Sequence, residues 1–231
     1  MAPERRVAGR LHQDRLDTAM EAVAKRTFQW AIDWPGWCRS GKTELDALER
    51  LIDASERYNV VIERAGFEPI EVSAHDVHVV DSVEGGPTTD FGAPERWTAS
   101  DDRPTDAQAA DRLARLVEAA WAVLDDVVAT APAELCKGPR GGGRDRDKVF
   151  EHVLLAEHAY ARNMGLKLPA PDAADPASVA VVRDAIAAVL REPSDGSPID
   201  GRKWNRRYAA RRVAWHVLDH AWEIEDRTDP T

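Results

Sequence analysis

Two histidines stand four residues apart near the end of the chain, in "AWHVLDHAWEIEDR": His216 and His220. On a helix, positions i and i+4 are neighbours on one face, so the pair can chelate one divalent cation through imidazole nitrogens. Val217 follows His216, so this is not the HExxH spacing of zinc-dependent proteases. A candidate third ligand, His152, lies in "DKVFEHVLLAEHAY", on the flank of the apolar stripe Val149, Val153, Ala156, Tyr160 and Met164. His158 points to the opposite side of that helix. Glu157 falls about 140° around it from His152, so neither is grouped with the other three. The alternative for the pair is a satisfied core histidine beside a surface one.

"GWCRSGKT", Gly36 to Thr43, is a second stretch with chemical content, since it matches the spelling of a phosphate-binding P-loop. "TFQWAI" precedes it, a helical pattern follows, and "VHVVD" imitates a strand ending in a magnesium-binding Asp81. The physics counts against that reading. A P-loop curls successive backbone N–H groups around phosphate and needs small residues, whereas Trp37, Cys38 and Arg39 fill this one. A parallel sheet also needs repeated crossover helices, and one is read before residue 100. Thr43 suits a helix N-cap, with Glu44 and Asp46 in the first turn complementing the dipole. A turn and a helix cap are therefore expected here, not an NTPase.

The elements that must position these residues fall into two halves, within 231 residues whose 43% hydrophobic and 31% charged content suits a soluble globular chain. Before residue 100, "TAMEAV" and "KRTFQWAI" read as a hairpin, "TELDALERLIDASERY" as a helix and "DVHVVDSV" as a further strand. Four helical stretches follow. Thr105 and Gln108 form a T-x-x-Q capping box for the first, whose stripe is Leu113, Leu116, Val117, Ala120, Leu124 and Val128. The second runs from about 145 to 164 and stops at Gly165. The third opens with Asp175 as N-cap and Pro176 at the first helical position. The fourth spans about 203 to 226. The expected class is α+β: a small ββαβ domain over residues 1–95, a linker at 96–104 and a four-helix bundle over 105–231. For His152, His216 and His220 to share one height, the second and fourth helices must be antiparallel. That requires a crossover, for which "GLKLPAPDAADP" is long enough.

Charge and cysteine usage bound the function. A net charge of −10 disfavours nucleic-acid binding, because phosphates are repelled at long range. Two cationic segments stand out, "RKWNRRYAARR" and "KGPRGGGRDRDK", which suggest either a small anionic ligand or a solvated charged surface. Cys38 and Cys136 form no CxxC pair, which argues for a reducing, cytoplasmic setting. No apolar run is long enough to span a bilayer and the start has no secretion-signal pattern, so no membrane association is expected.

Two resemblances add to this. Asp33, Trp34, Pro35 and Gly36, then Gly41, Thr43, Ala47 and Leu48, resemble the strand, "DLPG", "G-x-T" and helix signature of HicB-type antitoxin domains, over residues 18–82. Trp37 stands where that family has a Cys, and the family's DNA-binding tail is absent. A His on the second helix, HxxxH on the fourth and a long connection between the second and third resemble the DinB-like four-helix bundle superfamily, over residues 104–227. That resemblance implies a divalent metal, Zn, Ni, Fe or Mn, on His152, His216 and His220, and in some relatives a low-molecular-weight thiol such as mycothiol. A site of that kind acts as a Lewis acid on a bound water or thiol. Arg212, one turn before His216, could then hold an anionic group of the thiol, and Arg140 and Arg144 could hold its carboxylate or phosphate at the start of the second helix. The expectation is a metal-dependent S-transferase or hydrolase acting on a small molecule, with a homodimer compatible. The competing class is a non-catalytic HicB-like and bundle protein that binds a partner or regulates.

Overall fold

A computed structural model describes residues 11–12, 15–137 and 143–228. β1 (Leu11–His12) pairs in parallel with β5 (Ile70–Glu71). β2 (Leu16–Val23) and β3 (Arg26–Ala31) form the expected antiparallel hairpin, β4 (Cys38–Gly41) adds to β3, and β6 (Val77–Glu84) runs parallel to β2. The sheet is therefore mixed and four-stranded, in the order β4-β3-β2-β6. The parallel β2–β6 pair needs a crossover, supplied by α1 (Glu44–Asp53) and α2 (Ser55–Arg64). This differs from the expected ββαβ in two ways: a strand precedes the helix, and the helix breaks in two at Ala54.

That extra strand is made from the P-loop-like stretch. Cys38 to Gly41 pair with β3, so their backbone is in the sheet ladder rather than in a curl open to phosphate. A Cβ at Gly41 would lie 2.4 Å from the Ala47 nitrogen, so only glycine lets β4 lie this close under α1. Trp37 is fully buried, donates from Nε1 to the Leu51 carbonyl at 2.8 Å and stacks on Tyr58. Thr43 caps α1, its Oγ1 accepting from the Asp46 N–H at 3.1 Å.

A short α3 (Pro87–Phe91) leads into the second half. Within residues 96–104, expected as a linker, Arg96, Ala99, Asp102 and Pro104 are exposed while three residues turn inward. Thr98, Ser100 and Asp101 are buried, and Asp101 takes a buried ion pair from Arg211 at 2.7 Å. Four long helices follow: α4 (Ala107–Thr130), α5 (Arg146–Asn163), α6 (Pro176–Leu190) and α7 (Arg206–Thr228). Asp106, not Thr105, caps α4, accepting from the Ala109 N–H at 2.8 Å. Thr105 instead exchanges backbone hydrogen bonds with Ser194, which holds it in extended conformation. Asp175 and Pro176 start α6 as expected.

Side-chain pairs set the helix directions. Asp125 with Arg183 and Glu118 with Arg191 make α4 and α6 antiparallel. Phe150 and Val179 line one cleft and Glu157 pairs with Arg183, so α5 and α6 run the same way and residues 164–175 cross back along α5. One hydrophobic cluster joins Trp37, Leu51 and Tyr58 of the first half to Leu116, Leu124, Val213 and Leu218 of the second. α7 is buried nearly all round because the sheet also packs on it, through Phe28 edge-on to Trp215. Among the described residues no helix is long and apolar enough to cross a membrane.

In the cationic run before and along α7, Arg202 and Lys203 are exposed, whereas the four arginines on the helix are taken up by the protein itself. Arg206 donates to the Val189 carbonyl, Arg207 pairs with Asp33, Arg211 with Asp101, and Arg212 reaches the Pro94 carbonyl. These guanidiniums fasten α7 to the strands and loops around it.

Candidate metal centre

α5 and α7 are antiparallel, and that decides which side chains meet. His152, early in α5, faces His216 and His220, whereas Tyr160, two turns on, faces Arg212, one turn back along α7. The three imidazole rings form a triangle with centroids 5.1 Å (152–216), 5.0 Å (152–220) and 4.6 Å (216–220) apart. One nitrogen from each lies within 4.8 Å of the other two. Metal–nitrogen bonds of about 2.0–2.1 Å in tetrahedral geometry place ligand nitrogens about 3.4 Å apart, a closure within reach of side-chain rotation.

The surroundings of His152 and His216 favour their neutral form. Burial pushes the pKa of His152 below its ordinary value, and the neighbouring His220 and Arg144 lower it further. His216 lies well below, chiefly through burial and then through His220 and His152. A neutral imidazole is the form that ligates a metal. The Nδ1 of His216 is buried with no hydrogen-bond partner among the described residues, a lone pair or N–H that no protein group answers.

Glu223 supplies the orientation. The Nδ1–H of His220 donates to Glu223 Oε2 at 2.8 Å, which leaves His220 Nε2 with its lone pair toward the other two rings. Arg227 holds the other oxygen of Glu223 at 2.9 Å and itself bonds the carbonyls of Cys136 and Arg144. The hydrogen bond from His220, with Arg227 behind it, keeps the Glu223 carboxyl below the usual range. A carboxylate–histidine pair of this kind is the usual support of an imidazole ligand, and the donor set fits a divalent cation.

His152, His216 and His220 are thus brought together. Arg144 is exposed beside them, near enough to depress two of the histidines. Arg140 lies outside the described residues. Arg212 is buried, committed to the Pro94 carbonyl and to the Tyr160 hydroxyl at 3.4 Å, and packed on Trp215; its Nε alone lacks a partner. His158 points away, as expected, to the Leu168 carbonyl, and Glu157 pairs with Arg183.

Sequence reasoning passed over two residues. Glu223 reads as polar flank, although its spacing of three from His220 is the signal for a supporting carboxylate. Tyr160 reads as core stripe, yet its ring lies 5.9 Å from that of His216 and it is only partly buried. Compared with protein-family models, curated proteins and solved structures, the chain finds no match.

Proposed function

We propose that His152, His216 and His220 hold one divalent cation and that the protein uses it on a small-molecule substrate, as a thiol-dependent S-transferase or a hydrolase. The observation that carries this reading is the convergence of three imidazoles, one braced by Glu223 and one with a buried nitrogen that has no partner among the described residues. A bound cation supplies Lewis acidity, bringing a water or thiol on it toward ionisation near neutral pH. The chain's own groups supply the rest. Glu223 fixes the tautomer of His220, Arg227 fixes Glu223, and Arg212 donates to the Tyr160 hydroxyl, whose own proton is left to bond a substrate oxygen or sulfur near His216.

The helix order supports reading residues 105–228 as a DinB-like four-helix bundle, because α5 is antiparallel to α7 and a long crossover separates α5 from α6. The β2–β3 hairpin, Thr43-capped helix and β6 support a HicB-like ancestry for the first half, with the sheet serving as a cover for α7. Zn, Ni, Fe and Mn all suit three imidazoles, and availability decides among them.

Elemental mass spectrometry tests the reading on tag-free protein beside His216→Ala/His220→Ala. About one metal per chain is expected in the parent and none in the variant. No metal in either, after reconstitution with each of the four ions, would make the histidines structural and favour the partner-binding class.

A further inference from the structure

One step round α7 from the histidines, on the side facing the sheet, lies a cavity of about 620 Å³, in the range that holds small ligands. Its floor is aromatic: Trp215 and Trp222 of α7 and Phe28 of β3. Half of its charged groups are matched. Arg57 pairs with Glu225 and Asp226, and Arg227 with Glu223. Arg50 and Asp53 are exposed at the rim.

Two further charges, Arg39 and Asp219, have no ion pair among the described residues. The Arg39 guanidinium lies flat on Trp222, 3.7 Å from the ring centroid, and its one hydrogen bond among the described residues goes to the Cys38 carbonyl at 3.4 Å. Burial without a carboxylate partner lowers its pKa to about 10. A stacked guanidinium keeps its in-plane N–H edge free, the geometry that grips a carboxylate with two bonds. Asp219 is exposed and borders the same cavity, with no hydrogen bond or ion pair among the described residues. It is close enough to Arg39 to be felt electrostatically, but not in contact with it.

We propose that this cavity binds a small zwitterion of the amino-acid class, its carboxylate on Arg39 and its ammonium on Asp219, with an apolar side chain against Trp215, Trp222 and Phe28. An unpaired charge of each sign, Arg39 on β4 and Asp219 on α7, disfavours a simple anion, which Asp219 repels, and a simple amine, which Arg39 repels. Among the described residues no histidine lines the cavity, although Glu223 and Arg227 border it, so binding is tested on metal-free protein.

The test is a titration of EDTA-treated full-length protein, read by tryptophan emission because two tryptophans form the floor. The probes are leucine, methionine and phenylalanine, each as the free amino acid, the N-acetyl derivative and the amide. Saturable binding of at least one free amino acid is expected, weakened about tenfold or more by either block. Arg39→Gln should weaken the free amino acid and leave its amide unchanged; Asp219→Asn should weaken the free amino acid and leave its N-acetyl form unchanged. No saturable signal with any free amino acid, or equal binding of the free and N-acetyl forms, overturns the proposal. The parent protein's ranking of the three probe forms decides the matter even where a variant folds poorly.

Discussion

On one side of α5, Glu157 is almost wholly buried against Arg183, which also grips both oxygens of the half-exposed Asp125. On the other side, His152 ends among two more imidazoles. Both clusters are polar, buried or half-buried, and built from side chains of different helices. They differ in complementarity. Burial raises the Glu157 carboxyl and Arg183 opposes that shift, while the two carboxylates hold Arg183 more firmly protonated. Three imidazoles offer no opposite charge to one another, and protonating any of them disfavours the next. Complementary charges stabilise themselves; like lone pairs turned toward one point call for a cation from outside.

The largest effect that can break this comparison is on folding. Arg183→Met, which strands Glu157 in the interior, is expected to cost about 3–5 kcal/mol in urea unfolding. His216→Leu, measured in EDTA, is expected to be neutral or to stabilise by about 1 kcal/mol, since it removes a buried unpartnered nitrogen. Comparable losses in the two variants would mean that the histidines hold the fold together as the ion pair does.

A smaller effect sharpens the role of Glu223. Glu223→Gln keeps the shape but weakens the acceptor for His220, and metal affinity in competition with a chelator is expected to fall about 10–100-fold. An unchanged affinity would reduce Glu223 to a surface partner of Arg227.

The smallest effect is on pH dependence. His152 and His216 have folded pKa values below the unfolded value of about 6.5, so below that pH the unfolded chain binds more protons. Their contribution to the stability of the metal-free protein is present above that pH and is lost as pH falls toward the folded values. Melting in EDTA should therefore move to lower temperature between about pH 7.5 and 5.5, and His216→Leu should flatten that slope. Equal slopes in parent and variant would place the proton uptake elsewhere.

Much of this was legible before any coordinates. The β2–β3 hairpin follows from its alternation, and Thr43, Asp175 and Gly165 mark helix ends because capping is a local affair between a side chain and the next turn. The cap of α4 was misread by one residue because a distant partner, Ser194, claims the Thr105 backbone. Cys38 to Gly41 became a strand for a similar reason: the ladder partner lies on β3, and four residues carry too little pattern to announce it. The arginines of 206–212 looked like a surface or an anion site because nothing in a local run says that Asp33, Pro94 and Asp101 will be beside it.

What the sequence determined by itself is what short-range geometry determines: the rough spans of the long helices, the caps at Thr43 and Asp175, and the pairing of His216 with His220 across one turn. The tertiary structure alone decided that α5 runs against α7, which brings His152 level with that pair, and that the sheet lies over the other side of α7, bordering the open Arg39 and Asp219 cavity. Helix direction and sheet placement depend on contacts between residues dozens of positions apart, where burial of the shared core outweighs local preference.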